Sequence, residues 1–129
     1  MRFMMILAFL IPGACQSDET VSGYGGGDRV WTLVEIDGQA FASRATLTFP
    51  DRGQIAGQAP CNRYSATMEA PYPWFDTGPV IATRMACPDL DAEDLFLSTL
   101  EAMTESEVSG NTLVLRAEDG REMLFKADE

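Results

Sequence analysis

Hydrophobic and polar positions alternate in short runs separated by turn residues. Residues 45–49 (ATLTF) place Leu47 and Phe49 on one face before Pro50-Asp51-Arg52-Gly53 turns the chain. Residues 64–69 set Tyr64, Ala66 and Met68 against Ser65, Thr67 and Glu69, the period of a half-buried strand. Residues 30–36 are rich in β-formers but alternate poorly, and Asp37-Gly38 ends them with a strong turn signal. Further strands are expected at 54–58, interrupted by Gly57, and at 80–85, 107–109, 112–116 and 121–126. The Pro-rich stretch 70–79 (APYPWFDTGP) reads as a loop.

The period changes once. Ala92, Phe96, Leu100 and Met103 fall at i, i+4, i+8 and i+11, one apolar stripe of a helix. Asp91 is the expected N-cap, with Glu93 and Asp94 as acids favoured in the first turn. The alternate carboxylates Asp89, Asp91 and Glu93 do not make a calcium loop, because Asp94 stands where such a loop needs glycine. Many short strands and one helix predict an α+β fold, mainly antiparallel. The sheet would curl into a half-barrel, with the helix plugging an end.

The N-terminus is an address rather than part of that fold. MRFMMILAFLIPGAC opens on Arg2, runs apolar over residues 3–11, breaks at Pro12-Gly13 and presents small Ala14 before Cys15. This is the layout of a secretory signal, and the apolar run is far short of the ~20 residues that span a bilayer. Residues 1–14 are therefore expected to be a signal peptide. Gly13-Ala14-Cys15 resembles a bacterial lipobox, with Cys15 lipidated as the new N-terminus and a firm membrane anchor. Pro12 departs from the usual leucine, so cleavage after Ala14 without lipid is the alternative. Gln16 rather than Asp after the cysteine makes the periplasmic face of the outer membrane the expected destination. Residues 15–27, polar and glycine-rich, read as a flexible tether reaching roughly 20 Å, and the domain is expected over 28–129.

Composition narrows the function. The chain has 129 residues, room for one domain, and a net charge of −11. That field repels phosphates, so no nucleic-acid partner is expected. Histidine is absent, which removes the commonest general base and metal ligand together. No catalytic residue, metal or cofactor is assigned.

In order, the landmarks are Trp31-x-Leu33, Leu47-x-Phe49, Cys61-Asn62-Arg63-Tyr64 and Thr83-Arg84-Met85-Ala86-Cys87-Pro88. The helix with Glu93, Phe96, Leu97 and Leu100 follows, then Leu113-x-Leu115, Gly120 and Leu124-Phe125. The series resembles the META domain family of HslJ-like envelope lipoproteins, over about residues 30–125. Pro60 departs from it, standing where the family usually has glycine. The resemblance implies a small antiparallel half-barrel with a packed helix. It also implies a link to envelope stress tolerance, envelope integrity or secretion, and no enzymatic activity.

Cys61 and Cys87 sit in the two most specific motifs. With Cys15 taken by lipid they form an even pair in an oxidising compartment, so a structural disulfide is expected. Two buried thiols or a redox pair are the alternatives. Asn62, Arg63 and Tyr64 have a structural reading at a loop-to-strand junction. Their functional reading is a recognition patch with Arg84 and Trp74. Tyr72, Trp74 and Phe75 either cap an open barrel end or present a contact surface.

Two functions are carried forward. One is a membrane-anchored module that contacts another envelope or secretion protein. The other is a half-barrel binding an apolar small molecule or acyl chain among Phe49, Tyr64, Met68 and Leu115.

Overall fold

The computed structural model describes residues 18–128. Nine strands form one sheet: β1 (Trp31–Ile36), β2 (Gln39–Ala40), β3 (Thr46–Asp51), β4 (Gln54–Gln58), β5 (Arg63–Thr67), β6 (Ile81–Ala82), β7 (Glu105–Ser109), β8 (Thr112–Arg116) and β9 (Glu122–Ala127). One helix, α1 (Leu90–Ala102), joins β6 to β7. All strand pairs are antiparallel, in the order β6-β5-β4-β3-β1-β9-β8-β7, with β2 as a short flap on β1. The sheet curls without closing, as the strand pattern and the resemblance implied. Because α1 follows one outer strand and precedes the other, it crosses the open seam. Phe96, Leu100 and Met103 go inward there, as the stripe predicted.

The poor alternation of β1 has a local cause. Trp31 and Leu33 are buried, then Ile36 rather than Glu35. The register against β9 shifts between Leu33 and Glu35, so one extra residue flips the inward face. Leu33 then pairs with Phe125 and Ile36 with Met123, all four buried. Asp37 and Gly38 both take positive φ, as a tight hairpin turn requires, which brings in the unforeseen β2.

β4 runs through Gly57 without a break, and glycine stands there because nothing larger fits. A Cβ there would lie 2.1 Å from the Thr46 carbonyl oxygen and 2.8 Å from the Tyr64 hydroxyl. Through that gap the Tyr64 hydroxyl donates to the Thr46 carbonyl at 2.6 Å. Burial pushes the phenol's pKa well up, so it remains a donor.

The loop 70–79 lies along the outer edge of β7. Phe75 N–H donates to the Thr104 carbonyl at 2.9 Å, and Ser106 N–H to the Pro73 carbonyl at 2.7 Å. Phe75 is buried, Tyr72 half-buried and Trp74 exposed, so the aromatic cluster both caps the interior and presents a surface.

Part of the expected tether is built into the domain. Val21–Tyr24 forms a 3-10 turn with Val21 fully buried, and the Trp31 indole donates to the Gly26 carbonyl at 2.9 Å. The Tyr24 and Tyr72 rings stack with centroids 4.7 Å apart. Burial would raise the Asp18 carboxyl's pKa, yet hydrogen bonds from Thr20 hold it below its usual value. The glycines that suggested flexibility serve close packing instead: a Cβ on Gly26 would meet the Val21 carbonyl oxygen at 2.8 Å. The expected signal peptide, residues 1–14, and Cys15 lie outside the described residues.

Candidate functional site

The two cysteine motifs meet at the start of α1. Helix Leu90–Ala102 begins before the expected cap, and Asp91 stands within its first turn rather than ahead of it. Glu93 is no solvated helix-end acid. It is 5 % exposed and aims its carboxylate at the turn before β5. One oxygen accepts the Cys61 N–H at 2.8 Å and the Asn62 N–H at 2.7 Å; the other accepts from the Asn62 side-chain amide at 2.7 Å.

Asn62, 3 % exposed, passes the connection on. Its side-chain nitrogen also donates to the Met85 carbonyl at 3.1 Å. Its oxygen accepts the Met85 N–H at 2.6 Å and the Thr83 hydroxyl at 3.0 Å. Two donors and two lone pairs are thus all used. Cys61 and Cys87 are joined by a disulfide, with Cα atoms 5.9 Å apart. This explains why residues expected as a strand over 80–85 are paired only at Ile81–Ala82. Beyond Ala82, a side chain from β5's entry turn takes the place of a ladder neighbour.

This clamp forms the back of a groove between β6 and α1. The groove has a volume of about 410 Å³, with Val80, Ala82, Met85, Leu90 and Leu97 among its apolar walls. Arg84, Asp94 and Glu101 add charge. Met85 is 63 % exposed and Leu90 38 %. Thr83 N–H donates to the Arg63 carbonyl at 3.1 Å, so the adjacent Ala82 turns its peptide groups away from β5. On that outer side Val80 N–H donates to the Glu101 carboxylate of α1 at 3.2 Å, so the stretch of β6 edge facing the groove is the Ala82 peptide, flanked by apolar side chains.

The residues expected to form one recognition patch are separated. Asn62 and Tyr64 are interior and structural, while Arg63 and Arg84 are exposed. Arg84 lines the groove with Asn62. Trp74 bridges Glu105 on β7, the other outer strand of the sheet. Phe49, Tyr64, Met68 and Leu115 are all packed in the hydrophobic core. Among the described residues no cluster of three or more His, Cys, Asp or Glu is placed to hold a metal ion, and no helix is long and apolar enough to cross a membrane.

Sequence analysis overlooked Glu93 as a site residue. The available signal was its place on the apolar stripe, three residues before Phe96 and seven before Leu100, where a solvated acid does not belong.

Fold and site define an open antiparallel half-barrel, its seam filled by one helix and its two cysteine motifs clamped to that helix. The chain belongs to the META domain family, whose model matches residues 27–129. Solved structures share the fold. An NMR structure of a protein from Burkholderia xenovorans is 21 % identical with a TM-score of 0.68, covering 99 % of both chains. A second NMR structure is 19 % identical at a TM-score of 0.60, covering 92 % of this chain and 95 % of the other. A crystal structure of a DUF4847 family protein from Bacteroides vulgatus is 14 % identical at 0.63, covering 82 % of this chain and 96 % of that one. No curated protein matches the chain.

Proposed function

We propose that this protein is a non-enzymatic envelope lipoprotein, exported and anchored through Cys15, whose domain holds a partner protein along the groove between β6 and α1. The observation that carries the reading is the groove itself. It combines the outward-facing Ala82 peptide of a sheet edge with exposed Met85 and Leu90 on walls that the disulfide and Asn62 hold in place. Such an edge offers main-chain hydrogen bonds to an added segment, and the apolar walls offer pockets for its side chains. The family resemblance suggests the setting, envelope stress tolerance or secretion, with the outer membrane as the expected location.

An apolar ligand among Phe49, Tyr64, Met68 and Leu115 is the weaker reading, because those side chains fill the core with each other and their neighbours. The test is a Met85→Lys, Leu90→Lys double variant. Met85 is largely solvated and Leu90 lies at the surface with 38 % exposure, so the melting temperature should hold close to that of the parent, since exposed substitutions change stability by about 0.5 kcal/mol or less. Co-purification of the partner from detergent-solubilised host envelope should be lost. Partner recovery equal to the parent's sinks the groove as the contact.

A further inference from the structure

We propose that the face carrying Tyr24, Pro71, Pro73 and Trp74 lies on the bilayer surface when Cys15 is acylated. The inference rests on the lipid-anchor reading and goes beyond it, from an anchor to an oriented domain. Its basis is where residues 19–21 sit. Thr20 and Val21 are buried, and Tyr72 N–H donates to the Glu19 carbonyl at 2.6 Å. Residues 19–21 therefore sit beside the loop that carries Trp74.

In the sequence only Gln16 and Ser17 separate Cys15 from Asp18. Fully extended, that link spans about 10 Å, half the roughly 20 Å reach of a dozen-residue free tether. A link so short keeps the loop face within a few residues' length of the headgroups and prevents free tumbling.

The side chains on that face suit the position. Trp74 is 55 % exposed and Tyr24 54 %, with Pro71 and Pro73 exposed beside them. Tyr24 is held by its stack on Tyr72, whose hydroxyl accepts the Val108 N–H at 3.0 Å. Tryptophan and tyrosine favour the membrane–water interface, where an apolar ring meets a polar tip. Asp18, Glu19, Asp76 and Glu105 lie nearby in the chain or sheet and offer no attraction to anionic lipid. The tether and the rings supply the contact, and zwitterionic lipid is the surface it fits.

The chain provides its own reporter. Of two tryptophans, Trp31 is fully buried and Trp74 is exposed, so a bilayer quencher reads Trp74. The experiment takes the full chain from host membranes, with acylation established by intact mass. The chain is then reconstituted into phosphatidylcholine–phosphatidylethanolamine vesicles containing lipid brominated on the acyl chain near the headgroup.

The expected result is loss of most Trp74 emission relative to unbrominated vesicles, with a blue shift. Trp74→Phe protein in the same vesicles should show emission that bromine leaves unchanged. Acylated protein whose Trp74 emission is unquenched overturns the docked face and leaves the anchor standing. A mass without acyl chains overturns the anchor reading, and the docked face with it.

Discussion

Replacing Glu93 with alanine is expected to lower unfolding stability by about 3 kcal/mol, with a fall in Tm on the order of 10 °C. The loss follows from what is left behind. The N–H groups of Cys61 and Asn62 and the Asn62 side-chain amide would all face a position with no acceptor, where Asn62 is only 3 % exposed. Leaving buried donors unpaired costs their full desolvation. Glutamine is not a clean rescue. Its NH₂ would confront the Asn62 nitrogen, and Asn62 cannot turn over without giving up the Thr83 and Met85 donors on its oxygen. Denaturant titration of both variants measures the effect. A loss below about 1 kcal/mol, the scale of an exposed ion pair, would show that the carboxylate is not the acceptor described.

The second large effect is expected from the disulfide. Changing Cys61 and Cys87 together to alanine should cost about 3.5 kcal/mol on the chain-entropy model for a sequence separation of 26. The loss should also be local. Residues 83–87 are held by the disulfide at one end and by Asn62 at the other. Combining the double variant with Asn62→Ala should therefore cost less than the sum of the two, as constraints on one segment are not independent. Strict additivity in denaturant titrations would mean that the segment is not the shared element. Together with Glu93, these residues give the two cysteine motifs of this chain a structural role. They build a wall, and the exposed residues on that wall are free to meet a partner.

Much of this fold was legible along the chain where one rule acted alone. Residues 64–68 and 112–116 alternate cleanly because each strand buries one face, residues 45–49 alternate in sequence although Thr46 is buried as well, and Phe96, Leu100 and Met103 share a stripe because the helix buries one face. β1 was blurred by its bulge, which flips the inward face partway along the strand. The strand expected over 80–85 stopped at Ala82 because Asn62, from a turn 23 residues away from Met85, takes the main-chain bonds. No periodicity signals such a substitution.

The glycine-rich stretch before Asp28 misled for a related reason. Gly26 permits close approach to Val21, and composition alone does not separate packing glycines from flexible ones. Within the candidate site, the cysteine motifs were visible, but their meeting with Glu93 was not. It depends on a contact across 31 residues between a helix and a turn. The groove was invisible, since its walls are residues that each read as ordinary strand or helix positions.

On the proposed function, a partner sits in the groove between β6 and α1. That placement is tested most directly by placing a photo-activated crosslinking residue at Met85 in the full-length protein in its own host, with Lys126 on β9 as the exposed control. The account predicts a discrete crosslinked protein from Met85 and none from Lys126. No adduct from Met85, or the same set of adducts from both positions, would contradict it.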